Sequence, residues 1–125
     1  GNYDAIVILC GINDLGHVIS QNTTIENYRS MFNKIHSKLP DAKVYVISVL
    51  PTREPFYVGS QNKIVELNDA LKATIEEYDY VTYVDCYSAF VGEDGYCKAD
   101  YVYDGLHPNE NGYGVIAEIL KPLLP

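Results

Sequence analysis

The segment Asp104-Gly105-Leu106-His107-Pro108-Asn109 places an imidazole three residues after a carboxylate, in a stretch that Gly and Pro mark as a loop. An Asp bonded to imidazole Nδ1 fixes the tautomer and stabilises the imidazolium, leaving Nε2 to take a proton from a nucleophile. His107 is therefore the candidate general base, since an imidazole can both take and return a proton near neutral pH. Asp104 is its candidate orienter. Far upstream, Gly11-Ile12-Asn13-Asp14 follows an apolar run and offers a Gly backbone amide and the Asn13 side-chain amide, the donor types a developing oxyanion needs. The chemistry common to both sets is acyl transfer. A nucleophile is missing from the pattern: Ser48 falls within a predicted strand, and Ser88, just after another, is the least unsuitable Ser. Short motifs also match by accident. Read singly, Asp104 suits a turn before a helix, Asn13-Asp14 suits an Asx turn, and His17 and His36 lack metal-ligand partners at useful spacing.

These groups need a scaffold, and the hydrophobic pattern describes one. Ala5-Ile6-Val7-Ile8-Leu9 is too short for a helix and rich in β-branched residues, so a strand buried on both faces is expected from Tyr3 to Leu9. Thr23 and Glu26 predict a capping box before a helix over 24–38, with Ile25, Tyr28, Met31, Phe32, Ile35 and Leu39 at helical spacing and Pro40 after it. Val44 to Val49 reads as a second strand, residues 51–59 as a loop, and Ser60 as the cap of a helix carrying Ile64, Leu67, Leu71, Ile75 and Tyr78. Val81 to Val84 is the third strand, and a final helix carries Tyr113, Ile116, Ile119 and Leu120 before Pro122. Alternating strands and helices predict one α/β domain over 1–125, a parallel sheet with helices on both faces and functional groups at the carboxyl ends of the strands. A doubly apolar strand wants neighbours on both edges, yet this one opens the chain. Its outer edge is expected to be exposed, and to be filled by another copy, another chain or preceding sequence.

Composition narrows the partners. Nine Lys and Arg face seventeen Asp and Glu, a net charge of -8, which repels phosphate backbones and anionic lipid and excludes nucleic acid as a natural partner. No apolar run approaches the roughly 18 residues of a membrane span, so a soluble domain is expected, with its compartment unspecified. Three Cys without a C-x-x-C pair signal neither a disulfide framework nor a zinc site. Cys10 reads as a small buried hydrophobe, and a Cys86 to Cys97 bridge is compatible with the spacing but not required by it. Twelve Tyr and no Trp suit half-buried sheet surface. Tyr57, Tyr101 and Tyr103 fall in loops that could border the strand ends, where Tyr often meets sugars. No G-x-G-x-x-G or G-K-[ST] segment supports a nucleotide binder.

Taken in order, G-I-N-D after a strand and D-G-L-H-P-N-x-x-G-Y before a terminal helix resemble the SGNH, or GDSL-type, hydrolase family of esterases and lipases. The resemblance spans nearly the whole chain, including the Leu50-Pro51-Thr52 segment. It implies a flavodoxin-like α/β fold, with Asn13 as an oxyanion donor, Gly11 opening that block on the substrate side, and Asp104 and His107 as two members of a catalytic triad. It implies no metal or organic cofactor, and a small-molecule ester substrate, an acylated carbohydrate among the options. The family's G-D-S block, which carries the nucleophile, has no counterpart here, and the first strand resembles the family's third. The expectation is a C-terminal portion lacking the family's first two strands, inactive or nearly so alone. The alternative is a catalytically silent α/β module that binds or assembles through its open sheet edge.

Overall fold

A computed structural model describes residues 4–10, 20–53, 61–102 and 107–125. Three strands, β1 (Ala5–Ile8), β2 (Lys43–Ile47) and β3 (Val81–Val84), form a parallel sheet in the order β1-β2-β3. Ala5 lies opposite Lys43, and Val44 opposite Val81. The longer helices are α1 (Gln21–Lys38), α2 (Gln61–Ile75) and α4 (Glu110–Leu120), with a single turn, α3 (Tyr87–Phe90), after β3. Short 3₁₀ turns cover Ala99–Tyr101 and Lys121–Leu123.

The central strand organises both halves of the core. Side chains alternate across a strand, so Val44 and Val46 point to one face and Tyr45 and Ile47 to the other. On the first face they meet Tyr28 and Phe32 of α1 and Ile64, Leu67 and Leu71 of α2. On the second they meet Phe90, Ile116 and Leu120, together with Cys86 and Cys97. The expected parallel α/β layering, with helices on both faces, is thus observed. Burying one Val or Ile side chain here contributes about 1.5–3 kcal/mol, which makes β2 the most costly strand to disturb.

The ends of several elements differ from expectation. Helix α1 starts one turn early, because Ser20 caps it: Ser20 Oγ accepts from the Thr23 N–H at 3.2 Å. The expected Thr23–Glu26 capping box is not the cap. Thr23 Oγ1 instead accepts from the Ser20 hydroxyl, and Glu26 lies 3.6 Å from Arg29 Nε. Gln21, Asn22 and Thr23 carry no apolar period, so the hydrophobic pattern registered only the next turn. The proposed cap Ser60 lies outside the described residues.

Strand β1 is shorter than expected and is not buried on both faces. Val7 is 44% exposed and Leu9 38%, because among the described residues β1 pairs with β2 alone. Cys10, two residues past the strand, is exposed rather than buried. The expected exposed apolar edge is present at this strand.

Buried polar groups tie the carboxyl ends of the strands together. Asn68 of α2 is 6% exposed; its Oδ1 accepts from the Val49 N–H at 2.8 Å and its Nδ2 donates to the Val49 carbonyl at 2.9 Å. Ser48 Oγ accepts from the N–H groups of Cys86 and Tyr87 at 3.0 and 2.9 Å. Each of these bonds pairs a group that would otherwise be left unsatisfied away from water. Together they hold the β2 and β3 ends in one arrangement.

Candidate active site at the carboxyl rim

The residues that follow His107 are fastened to the chain at residues 100–102. Val102 and Pro108 form an antiparallel bridge. Asn109 then bonds through its N–H and side chain: its N–H donates to the Tyr101 carbonyl at 2.9 Å, its Nδ2 donates to the Asp100 carbonyl at 2.8 Å, and its Oδ1 accepts from the Gly112 N–H at 2.9 Å. The last of these caps α4. The first two fasten that cap to the Ala99–Tyr101 turn.

Gly112 permits this approach. A Cβ there would fall inside the contact radius of the Tyr101 carbonyl oxygen, 3.1 Å from Pro108 Cβ and 3.3 Å from Phe90 Cε2. Tyr101 in turn packs its ring on Phe90, with centroids 5.2 Å apart, and Lys98 Nζ lies 5.7 Å from its centroid. The turn before His107 and the helix after it are therefore both anchored in the second-face core.

His107 is exposed at the mouth of this clamp. Pro108 restricts it to extended backbone conformations, since the proline ring disfavours a helical preceding residue. An imidazole carried on such a return can be held for proton transfer while remaining accessible. Gly11, Asn13 and Asp104 lie outside the described residues, as do His17, Tyr57 and Tyr103. The approach to the Gly11 segment is described as far as Cys10, whose carbonyl accepts from the Tyr28 hydroxyl at 3.0 Å.

The serines considered as substitutes have other work. Ser48 is fully buried and occupied by its two backbone donors. Ser88 donates its hydroxyl to Asp85 Oδ2 at 2.5 Å and its N–H to Asp85 Oδ1 at 3.1 Å. A carboxylate that accepts in this way holds a Ser in place; it is a far weaker base than an imidazole. Ser88 and Asp85 line a cleft of about 380 Å³ beside β3, with Asn68, Asp69, Lys72 and Tyr83.

The buried thiols are also poor nucleophiles. Burial, with Asp85 adding to it, pushes Cys86 up to about 11. Burial pushes Cys97 to about 11 as well, against the opposing pull of Arg53 and Lys98. Both are therefore protonated near neutral pH, and the thiolate is the reactive form. They do not form the bridge that their spacing allowed. His36, expected to be solvated on its helix, is exposed but stacks on Tyr80 with ring centroids 4.1 Å apart.

Among the described residues no helix is long and apolar enough to cross a membrane. A parallel sheet with helices on both faces, and a histidine shortly before its last long helix, define a flavodoxin-like α/β domain. The GDSL-like Lipase/Acylhydrolase family model matches residues 2–115, and the chain belongs to that family. Human platelet-activating factor acetylhydrolase IB subunit alpha1 is 26% identical over 120 residues, which cover 95% of this chain and 50% of that protein. A solved Streptococcus pneumonia structure superposes with a TM-score of 0.91 at 27% identity, covering 98% of this chain and 60% of the other. A carbohydrate esterase family 3 structure from Talaromyces cellulolyticus gives a TM-score of 0.77 at 26% identity, covering 96% and 56%. The chain thus spans about half the length of the curated relatives it matches.

Proposed function

We propose that these residues form the C-terminal portion of an SGNH-type carboxylic ester hydrolase working through an acyl-serine intermediate. A Ser outside these 125 residues attacks the ester carbonyl, and His107 Nε2 takes its proton. Asp104 holds the other ring nitrogen, and the Asn13 amide, with the Gly11 segment, donates to the oxyanion. His107 then protonates the leaving alcohol and activates the water that releases the acid. The observation that carries this reading is the anchored return on which His107 sits, in a chain matched to the family over residues 2–115.

The names of two relatives, an acetylhydrolase and a carbohydrate esterase, support a short acyl ester, with an acylated carbohydrate as one alcohol class. The test is hydrolysis of p-nitrophenyl acetate and octanoate by the complete protein and by its His107→Ala variant. Loss of at least about 10³-fold is expected, with acetate the better substrate. Unchanged activity in the variant would sink the reading, while preference for octanoate would overturn only the short-acyl part. The isolated 125 residues are expected to show little or no turnover.

The exposed β1 edge favours a second reading, a catalytically silent module that assembles through that edge. Sedimentation of the isolated chain tests it. A monomer at every concentration would remove it.

A further inference from the structure

We propose that Asn109 is a positioning residue for His107, setting the base through the hydrogen bond from its Nδ2 to the Asp100 carbonyl. This deepens the hydrolase reading and rests on it. Asn109 presents two separable functions. Its Oδ1 caps α4 through the Gly112 N–H, a duty that Ser or Asp can perform about equally well. Its Nδ2 makes a bond unrelated to capping, 2.8 Å to the carbonyl of Asp100, nine residues back in the chain. Among the good capping side chains only Asn carries an NH₂ donor on an atom separate from its capping oxygen; Asp has no donor when ionised, and Ser and Thr must donate from the same short hydroxyl.

Geometry carries the effect to His107. One peptide unit before Asn109 is Pro108, whose φ is fixed by its ring and which bridges to Val102. Beyond it His107 is confined to extended backbone. The backbone path from the Asn109 clamp to the imidazole therefore contains few freely rotating bonds. Asn109 N–H on Tyr101 and Nδ2 on Asp100 hold that path against the 3₁₀ turn at two successive carbonyls. A single bond would leave a hinge, whereas two fix an orientation. Proton transfer demands positioning to a fraction of an ångström, and a misplacement of about 1 Å costs on the order of 100-fold in rate.

Asn109→Ser in the complete protein separates the two functions. It retains a cap oxygen and the backbone bond but loses the Nδ2 amide, the longer arm that donates to the Asp100 carbonyl. The expected result is a fall in kcat of about 10- to 100-fold with KM within about 3-fold, while thermal unfolding moves by only a few degrees. Asn109→Asp is the second variant. It also caps, but sets a carboxylate against the Asp100 carbonyl, so it loses kcat at least as much. Circular dichroism gives the folded fraction, so that kcat is read per folded molecule. Wild-type kcat in Asn109→Ser, or a loss that only tracks the unfolded fraction, overturns the inference. His107→Ala in the same protein keeps the two ideas apart. If it retains activity, the hydrolase reading fails; if it abolishes activity while Asn109→Ser is unaffected, only the role of Asn109 fails.

Discussion

Two segments of this chain share one spacing and differ in their surroundings. Asp85-Cys86-Tyr87-Ser88 and Asp104-Gly105-Leu106-His107 each put a proton-handling side chain three residues after an aspartate. In the first, the carboxylate accepts both the N–H and the hydroxyl of Ser88, and the chain goes directly into the single turn α3. The bonds of Ser88 itself close within four residues, while the Cys86 and Tyr87 N–H groups between the two ends reach Ser48. In the second, Pro108 and Asn109 come directly after the imidazole and reach back to Val102, Tyr101 and Asp100 and forward to Gly112. The spacing is common to a turn and a base. What distinguishes them is where the proton-handling end is fastened. The N–H and hydroxyl of Ser88 bond only to the aspartate of its own turn, whereas the residues after His107 bond to the separate turn at Ala99–Tyr101, and a base must be held relative to the rest of the molecule.

The comparison is broken most directly by exchanging which segment is lost. In the complete protein, His107→Ala should reduce ester hydrolysis by at least about 10³-fold, whereas Ser88→Ala should leave kcat/KM within about 2-fold. Equal losses from both variants in a p-nitrophenyl acetate assay would show that the Asp85 turn also takes part in the chemistry.

A smaller effect separates two glycines of the same helix. Gly112→Ala drives a Cβ into the Tyr101 carbonyl and should destabilise the fold by about 1–3 kcal/mol in urea titration, the usual range for overpacking. Gly114 has no heavy atom within 4 Å of a built Cβ and lies inside α4. Gly114→Ala should therefore stabilise by about 0.5–1 kcal/mol. If both substitutions moved stability the same way, the close approach of α4 to the 3₁₀ turn would not be the reason for a glycine at position 112.

The contrast also shows which features were legible in the sequence. Val81 to Val84 was readable as a strand, and the observed bounds agree, because β-branched residues between turn signals report local preference and burial at once. The helices over Ile25 to Leu39 and Ile64 to Ile75 were readable from their 3.6-residue period. Strand β1 has an equally apolar sequence but a different exposure, since burial depends on neighbours that no local pattern encodes. Of the site, residue types and their order were readable, including Asn109 within the motif. An Asn directly before a helical run signals a cap, but its second bond depends on where the Asp100 carbonyl lies after folding. The α3 turn and the Ala99–Tyr101 turn were missed for a similar reason: each is too short to show a period.

The thiols offer a comparison between the core and the β1 edge. Cys10 is exposed, while Cys86 and Cys97 are fully buried. A thiol reagent at pH 8 should modify Cys10 rapidly and the other two only after denaturation. Cys86 and Cys97 keep their protons up to about 11, but in the unfolded chain they lose them near 9. Between those values the unfolded state binds fewer protons, so their contribution to stability is present below pH 9 and is lost as pH rises through 11. Urea midpoints that stayed flat across this interval would contradict the burial of the two thiols.

The smallest effect concerns the Asp85 turn itself. Asp85→Asn retains an oxygen to accept the Ser88 N–H but removes the charge that holds the hydroxyl. Because the turn is exposed, water replaces much of the lost bonding, and about 0.5–1 kcal/mol of stability should go. The charge has a second reach: after burial, Asp85 is the other influence raising Cys86. Removing it should bring the Cys86 titration down while leaving Cys97, on which Asp85 does not act, where it was. The Cβ chemical shifts of ¹³C-labelled Cys across an alkaline titration, with Cys10 replaced by Ser, follow each of the two thiols separately. A shift in one of the two transitions is the expected result. Two unmoved transitions would mean that burial alone sets both thiols, and that the Asp85 carboxylate acts only on Ser88.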